Sequence, residues 1–127
     1  MERKNVSSGG EWEEKISYSR AVQIGNVIEI AGTVAADEGK VVGIQDPYKQ
    51  TVFIIEKIKA TLEGMGAGLE NVIRTRMFVT DIDQWQEVGR AHGELFKGIN
   101  PVTTMVEVSK LINPDYLVEI EASALIG

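Results

Sequence analysis

Glu119 and Glu121 stand two residues apart in the run Leu117–Ala124, so a strand would aim both carboxylates to one side of a sheet. That is what a general acid or base needs if the side faces a cleft. Solvated or ion-paired, the same residues would do no chemistry, and burial against an apolar wall, which raises a carboxyl pKa, separates the two cases. Arg20, Arg74 and Arg76 supply planar, permanently charged forks, suited either to a ligand carboxylate or to the strand glutamates. His92, the only histidine, falls in register with Trp85, Val88 and Leu95, which predicts a packed, hydrogen-bonded ring rather than a catalytic base. With one His and no Cys, no metal site is expected, and thiol nucleophiles and disulfides are excluded. Neither GxGxxG, GxxxxGK[ST] nor GxSxG occurs, so no dinucleotide, P-loop or hydrolase-elbow chemistry, and no cofactor, is expected. The acidic run Thr80–Asp83 reads as a capped turn.

These side chains must be held by strands and helices that the pattern outlines. Residues 1–15 are polar, with Ser7, Ser8, Gly9 and Gly10 together, and read as an arm or irregular lead-in; residues 16–127 read as one domain. A β-hairpin is expected across Gly25–Asn26, a dipeptide suited to a tight turn, and a short strand near Lys40–Val42. Asp46 followed by Pro47 starts a helix whose apolar stripe includes Tyr48, Val52, Ile55, Leu62 and Met65; the glycines at 64, 66 and 68 close it. A strand over Val72–Thr80, a helix from about Asp83 to Lys97–Gly98, and strands over Thr103–Ser109 and Leu117–Ala124 complete the chain.

Parity divides each late strand into two faces. Ile73, Thr75, Met77 and Val79 oppose Arg74, Arg76 and Phe78; Thr104, Val106 and Val108 oppose Thr103, Met105 and Glu107; Val118, Ile120, Ala122 and Ala124 oppose Leu117, Glu119, Glu121 and Ser123. The first set on each strand is expected under two helices, giving a two-layer α+β fold with a mostly antiparallel sheet. The other face meets water or another copy of the chain.

At 127 residues, 43% hydrophobic and 25% charged, the chain is one folding domain. Its net charge of −6 makes nucleic acid and anionic membranes poor partners. No apolar run suggests a signal peptide or a membrane span, so the expected location is the cytoplasm.

Five segments in order, Tyr18–Val22, Ile30–Thr33, Arg76–Asp81, Pro101–Val108 and Val118–Ala122, resemble the RidA (YjgF) family from about Ile16 onward. The resemblance implies a chorismate-mutase-like fold assembled as a homotrimeric barrel, with small-molecule clefts between subunits. In its best-studied branch, which looks like an enamine/imine deaminase, a glutamate matching Glu119 positions the hydrolytic water and a tyrosine matching Tyr18 lines the pocket. That branch's carboxylate-gripping arginine is Thr103 here, its pocket serine Ala31, and its helix asparagine Gly89. The expected site is therefore Glu119 as the catalytic residue, with Tyr18, Arg20, Thr33, Arg76 and Thr103 around the ligand and Arg20 or Arg76 as a substitute clamp. Imine hydrolysis and a non-enzymatic metabolite-binding or chaperone-like trimer are the two readings of function.

Overall fold

Asp46 accepts a hydrogen bond from the Lys49 backbone N–H at 2.9 Å, and Pro47 fills the first helical position, where no N–H is needed. The long helix α2 (Pro47–Gly64) starts there. In this computed structural model, which describes all 127 residues, α2 packs beside α3 (Trp85–Leu95) on one face of a six-stranded sheet. The strands are β1 (Arg3–Val6), β2 (Ala21–Ile24), β3 (Val27–Val34), β6 (Val72–Val79), β7 (Val102–Glu107) and β8 (Val118–Leu125), in the order β1-β2-β3-β8-β6-β7. A small ribbon, β4 (Ala36–Asp37) with β5 (Lys40–Val41), follows β3. Every pairing in the large sheet is antiparallel except β6–β7, which α3 joins as a crossover. Gly25, at φ 59°, turns β2 into β3, and of the dipeptide Gly25–Asn26 it alone takes a positive φ, as a type II′ turn requires.

The core lies between the sheet and the helices. Ile28, Ile54, Ile55, Leu62, Val118 and Ile120 are all fully buried, each contributing on the order of 1.5–3 kcal/mol of apolar burial. On β8 the alternation is unbroken, with Val118, Ile120, Ala122 and Ala124 buried and Glu119, Glu121 and Ser123 on the open face.

Three expectations are corrected. Residues 3–6 and 11–16 are not an irregular lead-in: β1 is an edge strand paired with β2, and the short helix α1 (Glu11–Ile16) precedes Ser17, which is left-handed at φ 68°. The register of β6 shifts between Val72 and Arg74, so Ile73, expected in the core, is 51% exposed. The faces of β7 are reversed, because Thr103 and Met105 pair with the buried Thr75 and Met77 and so lie on the helix side, whereas Thr104 and Val106 lie on the open face, Val106 being 43% exposed. An edge strand that the helices scarcely cover has no strong apolar face to reveal its orientation.

Candidate functional site

On the open face, register sets Phe78 beside Glu119, Arg76 beside Glu121 and Arg74 beside Ser123. Arg76 Nη1 lies 3.1 Å from Glu121 Oε1, an exposed ion pair worth about 1 kcal/mol or less. Glu119 is held differently. The β3 ladder slips between Ile30 and Thr33, and this bulge presses Gly32 onto the Glu119 carboxylate: a Cβ on Gly32 would sit 2.2 Å from Oε2. Burial pushes the half-buried Glu119 carboxyl above the usual carboxylate range; the Arg20 charge pulls it back and Glu121 pushes it further up.

Arg20 flanks the same glycine. Its Nη2 donates to the Gly32 carbonyl at 2.8 Å, while its backbone N–H donates to Val6 O and its carbonyl accepts from Ala31 N–H. Arg20 Nε is buried and bonds no other group of the chain. Two further charged groups converge from other elements. On α2, Lys57 Nζ donates to Ala36 O at 3.0 Å, and its pKa is lowered by burial and by Arg20, against the pull of Asp37 and Glu13. On α1, Glu13 accepts from the Ser7 hydroxyl and from the Ser8 backbone and hydroxyl; burial alone would raise its pKa, but these bonds with the Arg20 charge bring it below normal.

Beside Glu121 the open face sinks into a groove of about 490 Å³, lined by Tyr18, Ser19, Ala31, Arg74, Arg76 and Glu121 and walled on one side by Arg3 and Asn5 of β1. Of the expected site residues, Tyr18 and Arg76 line this groove, whereas Arg20 and Glu119 do not: both flank Gly32, the residue after the groove-lining Ala31. Thr33 and Thr103 lie elsewhere. Thr33 is 2% exposed on the helix side, its hydroxyl donating to Ala31 O, where it braces the bulge. Thr103 is on the helix side of the edge strand, bonded to the Thr75 hydroxyl. His92 is packed, as its register implied: Nε2 is 2.8 Å from Thr75 Oγ1, the ring stacks 4.6 Å from Phe96, and burial lowers its pKa. Nowhere do three or more His, Asp or Glu side chains gather in a way that would hold a metal ion, and no helix is long and apolar enough to cross a membrane.

Alternation set Glu119 and Glu121 on one face and the family resemblance singled out Glu119, but sequence reasoning missed Gly32, whose part is the space left by its absent side chain, and missed Glu13 and Lys57, which only the tertiary fold brings near Arg20.

Known proteins share this architecture. The model of the family described as endoribonuclease L-PSP matches residues 12–126. An uncharacterized protein of Streptomyces coelicolor is 38% identical over 124 residues, covering 98% of this chain and 92% of its own length. A RutC family protein of Pyrococcus abyssi is 37% identical over 109 residues, 84% of each chain. Among solved structures, Rv2704 of Mycobacterium tuberculosis, of the YjgF/YER057c/UK114 family, superposes with a TM-score of 0.89 at 46% identity, covering 98% of this chain and 100% of that one.

Proposed function

This chain belongs to the endoribonuclease L-PSP family, the YjgF/RutC group, and from that premise we propose that it forms a homotrimer whose inter-subunit clefts bind a small imino or enamino acid and hydrolyse its C–N bond. The observation that carries this reading is Glu119, a half-buried carboxylate with a raised pKa, fitted against Gly32 and one strand alternation from Glu121, which lines the polar groove. A base of raised pKa works nearer neutral pH than an ordinary glutamate.

In the proposed step Glu119 takes a proton from water as the oxygen attacks the imine carbon. The C=N electron pair moves to nitrogen, which is protonated, and the resulting carbinolamine expels ammonia to leave the 2-oxo acid. Arg3, Arg74 and Arg76 in the groove, and Arg20 beside Gly32, supply guanidinium groups for a substrate carboxylate, and Tyr18 forms a wall. Thr103, on the exposed edge strand, would enter the cleft from a neighbouring copy.

One observation favours the alternative of a metabolite-binding or chaperone-like trimer without turnover: Arg76 is already engaged by Glu121. Ribonuclease activity, which the family's name carries, fits poorly with a net charge of −6 and no basic stripe. The test is hydrolysis of freshly generated 2-iminobutanoate and 2-iminopropanoate by wild type, Glu119→Ala and Arg20→Ala. Turnover that disappears in Glu119→Ala supports the hydrolase; no turnover above buffer, with ligand-induced stabilisation, supports the binder.

A further inference from the structure

The bulge of β3 sets Ala31 and Gly32 opposite Glu121 alone on β8, because Ile30 pairs with Ala122 and Thr33 with Ile120. A bulge takes its extra residue out of the ladder, so the backbone polar groups there need partners from elsewhere. One residue meets two of them. The Arg20 carbonyl accepts from Ala31 N–H at 3.0 Å and Arg20 Nη2 donates to the Gly32 carbonyl at 2.8 Å, so Arg20 spans the bulge from its first N–H to its last C=O. The Thr33 hydroxyl donates to the carbonyl between them, that of Ala31. Arg20 is itself tied to the edge strand β1, its own N–H donating to Val6 O at 2.8 Å.

The Arg20 charge is met from three elements. Glu13 of α1 and Glu119 of β8 attract it and Lys57 of α2 repels it, with Asp37 acting on Lys57 and Glu121 on Glu119. The guanidinium is no part of the groove: Nε is buried, Nη2 is bonded to Gly32, and the arginines that line the groove are Arg3, Arg74 and Arg76. We infer that Arg20 is a positioning residue, a staple that closes the β3 bulge and so keeps Gly32 against the Glu119 carboxylate, and that it does not grip the substrate. The inference deepens the reading above by withdrawing Arg20 from the guanidinium groups offered to a substrate carboxylate, and only its kinetic arm rests on turnover.

The test combines amide hydrogen exchange with steady-state kinetics on Arg20→Met, which keeps bulk but removes the charge and the donor, and on Arg20→Lys, which keeps both. In Arg20→Met the Ala31 amide is expected to exchange about tenfold faster than in wild type while the amides of β8, at the centre of the sheet, are unchanged; Arg20→Lys should stay near wild type. With 2-iminobutanoate, Arg20→Met should lose about tenfold or more in kcat with KM within about twofold, and Arg20→Lys should recover most of that loss. A residue that merely stabilises the fold leaves kcat unmoved below the melting temperature. Two results overturn the inference. One is Ala31 exchange in Arg20→Met within about twofold of wild type. The other is a KM raised about tenfold with kcat unchanged, in Arg20→Met and Arg20→Lys alike, as loss of a bidentate carboxylate clamp predicts. Should Arg20→Met not fold, Arg20→Gln, whose amide ends two bonds short of Nη2, replaces it in both arms. Absence of imine turnover in wild type removes the hydrolase reading, and the exchange arm alone then decides this one.

Discussion

Replacing Gly32 by alanine should disable Glu119 without touching it. A Cβ at this position would lie 2.2 Å from Glu119 Oε2, 3.1 Å from Cδ and 3.4 Å from Cγ. Ordinary contact begins near 3.4 Å, so the carboxylate oxygen must retreat by about 1.2 Å. The obstacle is the far end of a flexible side chain, and the φ of Gly32 lies outside the left-handed region, so the backbone accepts alanine without strain. Thermal stability should therefore change by no more than about 1 kcal/mol, with a small entropic gain from losing a glycine set against the displaced carboxylate. Misplacing a catalytic group by about 1 Å costs on the order of 100-fold in rate, and that is the loss expected in kcat for imine hydrolysis. A second readout accompanies it. Pushed toward water, the Glu119 carboxyl loses part of the burial that raises its pKa, so the acid limb of the kcat/KM profile should move to lower pH. A Gly32→Ala protein that is folded, with kcat within about twofold of wild type and an unmoved acid limb, would refute the account of how Glu119 is held.

Ile120→Asp should abolish folding, because it places an unpaired charge in the fully buried core at a cost of about 4 kcal/mol or more, whereas Val106→Asp on the open face should leave a folded chain; circular dichroism and melting curves distinguish the two. Since Glu119 has a raised folded-state pKa, its stabilising contribution is complete below the ordinary glutamate pKa of about 4.3 and is lost as pH rises through the raised value. Glu119→Gln should therefore melt higher than wild type at pH 7, with the difference shrinking on acidification; a lower melting point at pH 7 would contradict the burial argument. Glu13, whose pKa is lowered, contributes stability above its unfolded pKa that is lost as pH falls through the folded one, so Glu13→Gln should melt lower than wild type at pH 7 and converge with it in acid. Asp46→Ala should cost about 1 kcal/mol, read as a lower urea midpoint at unchanged slope.

The elements legible in the sequence are those whose environment is one-sided. Helix α2 announces itself through Asp46, Pro47 and an apolar stripe, and β8 through strict alternation, since each has one covered face and one open face. Where that condition fails, the reading fails. Strand β1 is exposed along nearly its whole length and resembles a polar arm; what makes it a strand is the backbone pairing of Arg3 through Val6 with Ile24 through Ala21, which leaves no mark on side-chain polarity. Strand β7 pairs on one edge only and is barely covered, so Val102 and Val106 lie on the open face. Ile73 turns outward because of a register slip that no hydrophobic pattern records. The same limit divides the site: Glu119 is visible as one member of an alternating strand, but its neighbours Gly32 and Arg20 are brought to it by a bulge and a loop far away in the chain.

Glu119 and Glu121 are chemically identical residues on one face of one strand, so alternation alone gives no reason to prefer either as the base. The cross-strand partners decide. Glu121 faces Arg76 and accepts a hydrogen bond from its guanidinium at 3.1 Å near the surface. Glu119, about one pleat further along, faces Phe78 on β6 and the bulged Gly32 on β3, with Arg20 close enough to act on its charge but bonded elsewhere. The difference in surroundings follows from two features: a phenylalanine rather than an arginine at the opposing rung, and a bulge that turns a glycine toward the carboxylate. The β3 bulge is therefore what separates the two glutamates, because without it Gly32 would not meet Glu119 and the two would share nearly the same environment.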